Sequence, residues 1–317
     1  MRILILGAGA TGGYFGARLT QAGADVTFLV RPARAARLRE QGLIMTSPLG
    51  DFHGPVGLVL QSEVASAYDL VVLSCKAYDL DAAMDSARPA VGPHTVVLPL
   101  LNGLAHYDRL DTRFGRARIV GGCCHLAAML DSGGAVRHLN AIHRITFGIR
   151  DGNADHTRSV LDSLADLFAR TSVECLHTEN VMQELWEKYI FLCALASITC
   201  LMRAAVGDIA AAEGGRALML EALEVCAQTA ARSGFPPRSA AREDAIRILT
   251  EPGSAFTASM LRDLEAGHRL ESDHVIGDML RRAEAVGVAP GLLRVASVHL
   301  LAHEARRVRE PRCGGAF

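Results

Sequence analysis

Arg2-Ile3-Leu4-Ile5-Leu6-Gly7-Ala8-Gly9-Ala10-Thr11-Gly12 stands at the start of the chain, and its reading decides the fold of the first half. Arg2–Leu6 is a short apolar run of strand character. A glycine turn follows directly, then a helical pattern from Gly13 to Ala22, then a second strand, Asp25–Val30. In a strand–turn–helix–strand unit of this kind each glycine has a separate task. The first permits a tight turn, the second lets a pyrophosphate approach the backbone at a helix N-terminus, and the third lets the helix pack closely on the strand. Gly7, Gly9 and Gly12 occupy these three places, with Ala10 and Thr11 between the last two, so the stretch predicts a dinucleotide site.

The residue after the second strand bears on which dinucleotide is bound. A site for NAD usually carries Asp or Glu there, to accept a bond from the adenosine 2′-hydroxyl. This chain reads Leu29-Val30-Arg31-Pro32. Arg31 would meet a 2′-phosphate with charge-assisted hydrogen bonds, which predicts NADP(H). Arg34 and Arg37 could assist, although a solvated helix face accounts for them equally well.

Outward from this unit, Leu70–Ser74, Val96–Leu101, Ile119–Gly121 and Ile145–Ile149 read as further strands separated by helical patterns, the signature of a parallel sheet with crossover helices. After a last β-like run at Thr171–Leu176 only helix signals remain. Asn180 with Gln183 three residues on resembles a capping box. Breaks fall at Gly234–Pro237, Glu251–Gly253 and Gly287–Gly291. The expected fold is therefore α/β: an N-terminal Rossmann-type, doubly wound parallel sheet over residues 1–177, then an all-helical domain over 178–317. A length of 317 residues suits two domains. The tail from Arg309 has the composition of a frayed terminus.

A net charge of −1 lacks the clustered basic surplus that nucleic acid or an anionic membrane would require. The 33 basic residues comprise 31 Arg and two Lys, Lys76 and Lys188. A Lys retained against such a background marks a place where a compact ammonium able to give up a proton is needed. The eight Cys (75, 123, 124, 175, 193, 200, 226 and 313) show no CxxC and mostly sit in apolar runs, which suits a reducing cytoplasm. The N-terminus has too short an apolar run for a signal peptide. The uncharged stretch Tyr189–Met202 reads as a buried core helix rather than a membrane span.

Lys188 lies in Glu184-Leu185-Trp186-Glu187-Lys188, near the start of the helical half. The bland reading is a surface pair with Glu184 at i,i+4. Against it, the residues that follow are apolar. An ammonium at a domain cleft could polarise a carbonyl and protonate the alkoxide formed by hydride transfer. Glu271, in Arg269-Leu270-Glu271-Ser272-Asp273, is a second candidate. A metal site at His299 and His303, with Glu304, is disfavoured because no third ligand is evident nearby.

These pieces, in order, resemble the ketopantoate reductase (2-dehydropantoate 2-reductase) family over essentially the whole chain. The matching segments are GAGATG at Gly7–Gly12, Ser74-Cys75-Lys76-Ala77, Leu101-Asn102-Gly103, Cys124-His125-Leu126-Ala127-Ala128, Glu184–Lys188, Ser259-Met260-Leu261-Arg262-Asp263, and Leu270–Asp273 through Gly277 to Leu280-Arg281-Arg282. The resemblance implies that Lys188 is the proton donor and that Glu271 lies near it and the nicotinamide ribose. It implies that Ser259 contacts the substrate carboxylate and Asn102 both nicotinamide and substrate. Gly7, Gly9, Gly12, Arg31 and Lys76 fall on cofactor contacts. A cytoplasmic enzyme of pantothenate biosynthesis is implied, and a homodimer is compatible with the family, although no interface can be read.

Departures from the family pattern concern the substrate. Asn expected four and eight residues after Lys188 is replaced by Leu192 and Ala196, and another, three before Ser259, by Phe256. A further expected Asn aligns with Val206. Ketopantoate carries a hydroxyl, and burying a hydroxyl unpaired costs roughly 1–3 kcal/mol. The expected reaction is NADPH-dependent reduction of a 2-oxo acid, with ketopantoate as the family's substrate. Two alternatives stand beside it: a D-2-hydroxyacid dehydrogenase for bulky apolar 2-oxo acids, and a non-catalytic NADP(H)-binding sensor.

Overall fold

The computed structural model describes residues 1–65 and 68–310; Cys313 and the tail beyond Glu310 lie outside the described residues. Two compact units emerge. The first comprises Met1–Leu101 and His106–Met182, and the second comprises Asn102–Ala105 with the chain from Gln183 onward.

The first unit is built on strands β1 (Arg2–Leu6), β2 (Asp25–Leu29), β3 (Leu43–Thr46), β4 (Phe52–Gly54), β5 (Gly57–Val59), β6 (Leu70–Leu73), β7 (Val96–Pro99), β8 (Gly121–Leu130), β9 (Val136–Gly148) and β10 (Glu174–His177). Its helices are α1 (Ala10–Gln21), α2 (Pro32–Gln41), α3 (Leu80–Ala87), α4 (His106–Phe114) and α5 (His156–Phe168). One sheet has the order β5-β2-β1-β6-β7, with every pair parallel. Ile3–Leu6, Leu70–Leu73 and Val96–Leu98 are buried without alternation, as strands covered on both faces must be. The order reverses between β1 and β6, the switch point at whose carboxyl ends ligands of such sheets bind.

A second sheet, β10-β9-β3-β4 with β8 paired to β9, corrects the strand reading from sequence. Ile119–Gly121 and Ile145–Ile149 are not separate strands of the parallel sheet. Ile119 makes only an isolated bridge to Val97. Gly121 and Ile145–Gly148 belong to the long antiparallel hairpin β8–β9, bulged between Leu126 and Ala128. The hairpin's outer end exposes Met129, Leu130, Leu139 and Ile142, which blurs the inward-outward alternation that marks a strand. A buried polar cluster ties this sheet to α1: the Tyr14 hydroxyl lies 2.6 Å from His143 Nδ1, and Arg18 donates to Ser47 Oγ, which lies 2.9 Å from His138 Nδ1.

The second unit is helical: α6 (Val181–Met202, whose first two residues belong to the first unit), α7 (Val206–Ala211), α8 (Gly215–Arg232), α9 (Ser239–Leu249), α10 (Ser259–Ala266), α11 (Asp278–Ala285) and α12 (Leu292–Arg309). The turn Asp273–Gly277 leading into α11 is π-helical. By length and composition α6 could cross a membrane, but 67% of its apolar window is buried within the protein. The capping box read at Asn180 does not form. The Asn180 N–H donates to Thr178 Oγ1, and the Gln183 amide donates to Glu187 Oε1 and the Pro236 carbonyl.

Candidate active site

The glycine turn sits at the end of β1 and leads into α1, at the switch point. Gly7 has φ +85°, a left-handed conformation that side chains resist. A Cβ at Gly12 would lie 2.4 Å from both the Gly7 carbonyl oxygen and Ser74 Oγ, whereas one at Gly9 would meet nothing within 4 Å. The turn is thus closed at Gly12 and open over Gly7 and Gly9. Gly9 caps α1 without a side-chain bond, and the first turn carries no acidic residue, so the amides around Ala10 and Thr11 are suited to an anion. The open cradle fits a pyrophosphate.

Arg31 lies at the N-cap of α2, with Pro32 first in the helix, and its side chain is 81% exposed. Lys76 caps the short turn Ala77–Asp79 that follows β6. Asp79 of that turn lies 3.7 Å from the Arg31 guanidinium, so the segments bearing Arg31 and Lys76 meet at one end of the parallel sheet. Arg34 is not merely a solvated helix cation. It is half-buried and donates to the Ala8 carbonyl at 2.9 Å, within the glycine turn, and burial with Arg37 nearby lowers its pKa. Arg37 is exposed, as the bland reading has it.

In the second unit, the Lys188 ammonium donates to Asn102 Oδ1 at 3.2 Å. The pairing expected with Glu184 is pre-empted. Arg238 holds Glu184 and Glu187 together, at 2.5 Å to each. Burial alone would raise the Glu187 carboxyl, but the Arg238 hydrogen bonds bring it below its ordinary range. With both carboxylates occupied, Lys188 is left to the amide.

Asn102 is brought to Lys188 by a close backbone contact. Gly103 has φ +74°, and a Cβ there would come 3.3 Å from the His274 carbonyl and 3.6 Å from the Tyr189 ring. His274 belongs to the π-helical turn, a local irregularity often found at functional sites. The Tyr189 hydroxyl sits 2.6 Å from the Val275 carbonyl in that turn and 3.0 Å from Asp278 Oδ2. Burial, with the Asp278 carboxylate beside it, holds the Tyr189 phenol well above its ordinary pKa, so it remains a proton donor. Asp278 in turn accepts from Arg282, which lies over Trp186. Glu271, 8% exposed, immediately precedes the helix containing the π turn, and its carbonyl accepts from Val275 N–H.

Ser259 is the first residue of α10 and is half-buried. Phe256 is 38% exposed and its ring stacks on Phe191. Leu192 is half-buried, whereas Ala196 and Val206 are enclosed in the core. Sequence reading missed Tyr189, Gly103 as a contact point, and Phe191. The i+3 spacing of Phe191 from Lys188 was the one available signal. Among the described residues no group of His, Cys, Asp and Glu could hold a metal ion.

A glycine turn at the switch point of a parallel sheet, joined to a helical unit bearing an amide-paired lysine, is the architecture of a class of dinucleotide-dependent oxidoreductases. The chain belongs to the ketopantoate reductase family: residues 3–152 match the model described as ketopantoate reductase PanE/ApbA, and residues 180–302 match its C-terminal counterpart. It is an oxidoreductase by the same likeness. The oxidoreductase YkpB of Bacillus subtilis (strain 168) is 32% identical over 307 residues, covering 97% of this chain and 100% of that protein. A 2-dehydropantoate 2-reductase of Mesorhizobium japonicum is 29% identical, covering 87% and 89%. Among solved structures, the 2-dehydropantoate 2-reductase of Geobacter metallireducens superposes with a TM-score of 0.85 at 28% identity, covering 95% of this chain and 99% of that one.

Proposed function

We propose that this protein reduces a 2-oxo acid to the 2-hydroxy acid with NADPH. The observation that carries this reading is the Lys188 ammonium held at 3.2 Å from the Asn102 amide, free of the two carboxylates on its own helix. NADPH, when bound, supplies a hydride to the carbonyl carbon. Lys188 donates a proton to the oxygen, completing the hydroxyl, a step that general acids accelerate roughly 10²–10⁴-fold. Asn102 orients Lys188 and touches both substrate and nicotinamide. Glu271 orients Lys188 and borders the nicotinamide ribose, and Ser259 binds the carboxylate. The turn of Gly7, Gly9, Ala10, Thr11 and Gly12 takes the pyrophosphate. Arg31 and Lys76 take the 2′-phosphate end, which favours NADP(H) over NAD.

Relatives named 2-dehydropantoate 2-reductase make ketopantoate the first substrate to try. With that substrate the enzyme would serve pantothenate biosynthesis in the cytoplasm, and a homodimer is part of the same reading. Leu192, Ala196 and Phe256 favour a second reading, a substrate without ketopantoate's hydroxyl. NADPH oxidation measured with ketopantoate and other 2-oxo acids tests the proposal. Turnover that disappears in Lys188→Ala supports it. NADPH binding with no 2-oxo acid reduced would instead identify a sensor.

A further inference from the structure

Phe191 and Phe256 form a half-exposed aromatic pair beside Lys188. Their rings are 6.3 Å apart and within 18° of parallel. Phe191 lies three residues after Lys188 on α6 and Leu192 four, so both flank Lys188 on one helix face. Phe256 lies three residues before Ser259.

The position of Phe256 is built rather than incidental. Its carbonyl accepts from Val206 N–H at 3.0 Å, and the Ser254 carbonyl accepts from Gly207 N–H at 2.8 Å. A Cβ at Gly207 would fall 2.3 Å from Ser254 N, so only glycine lets the two backbones approach this closely. The segment, pinned at both points, holds Phe256 against Phe191. Phe191 on the lysine's own helix face and Phe256 stacked on it from the segment before α10, both partly exposed, offer an apolar surface to a ligand.

We infer that Phe191 and Phe256 are specificity-determining residues that receive the side chain of the 2-oxo acid, and that this side chain is a planar aryl group. The inference rests on the 2-oxo acid reductase reading and narrows it. A flat ring continues an existing stack, gaining offset or edge contacts beyond simple area burial, while a branched aliphatic chain gains area alone. A hydroxylated chain such as that of ketopantoate would lay its hydroxyl against rings that accept no hydrogen bond of ordinary strength.

The test is steady-state NADPH oxidation with phenylglyoxylate, 2-oxoisocaproate and ketopantoate, using the full chain and the variants Phe191→Leu and Phe256→Leu. Leu keeps the pair apolar while removing the ring, and unfolding temperatures check that the variants fold. The expected result is the highest kcat/KM for phenylglyoxylate, and a loss of about tenfold for it in either variant, the size of one aromatic contact. 2-Oxoisocaproate should be much less affected. Equal losses for both acids, or a wild-type preference for ketopantoate or 2-oxoisocaproate, would overturn the aryl assignment and leave the reductase reading standing. Failure to reduce any of the three, with NADPH bound, would overturn both.

Discussion

The ammonium of Lys188 and the amide oxygen of Asn102 meet at 3.2 Å although they stand 86 residues apart. Asn102 follows directly on the last residue of the first unit's leading segment, yet it packs as part of the second.

Lys188→Arg keeps the positive charge but replaces the ammonium proton donor by a guanidinium, which does not give up a proton in proteins. The expected outcome is a fall in kcat of about 10²–10⁴-fold with NADPH affinity nearly unchanged, read by single-turnover kinetics and by fluorescence titration of the cofactor. Wild-type turnover in this variant would remove Lys188 from the role of acid.

Gly12→Ala places a methyl group against the Gly7 carbonyl and Ser74 Oγ, and the backbone atom cannot yield cheaply. A loss of roughly 1–3 kcal/mol in unfolding free energy is expected from overpacking. Cofactor affinity should fall as well, because the distorted turn is the proposed pyrophosphate cradle. Denaturant titration and calorimetry separate the two effects.

Arg31→Ala should narrow the preference for NADPH over NADH. A charge-assisted hydrogen bond contributes roughly 1.5–3 kcal/mol, so the NADPH dissociation constant should rise about 10–100-fold while that of NADH changes little. Parallel losses for both cofactors would mean that Arg31 does not read the 2′ position.

Tyr189→Phe keeps the ring that meets Gly103 and deletes the hydroxyl shared by the Val275 carbonyl and Asp278. Two buried acceptors lose a donor, and roughly 1–3 kcal/mol of stability should be lost. If the π-helical turn positions Gly103 and hence Asn102, kcat should drop more than KM changes. A stability loss with unaltered kcat would confine Tyr189 to a structural role.

His138 and His143 have imidazole pKa values lowered by burial and by Arg18, with the neighbouring His138 adding to the effect at His143. The unfolded chain therefore binds more protons than the folded one as pH falls from the ordinary value of about 6.5. Stability should be fully present above that value and decline as pH drops through the lowered folded values. Melting temperatures measured from pH 7.5 to 5.5 should fall for the wild type, and the slope should flatten in a His138→Gln, His143→Gln double variant.

The glycine turn could be read from Arg2 to Val30 because its backbone path is set locally, although Ser74 and Arg34 brace it from farther along the chain. A strand, three glycines and a helix follow one another, and their spacing is set by backbone sterics. The helical second half was legible for the same reason, and the scarcity of lysine pointed to Lys76 and Lys188. The β8–β9 hairpin was not legible at full length, because its pairing is antiparallel over many residues and its outer end leaves apolar Met129, Leu130, Leu139 and Ile142 exposed. Nor could Lys188's partner be read from its neighbours. Glu184 satisfies the helical spacing for an ion pair, but Arg238, distant in sequence, binds it with Glu187 and leaves the ammonium to Asn102. The π turn and the Phe191–Phe256 stack arise in the same way. Sequence periodicity encodes which face of a helix is apolar, whereas competition among distant groups for the same hydrogen bonds and the same surface is resolved only when the chain is packed.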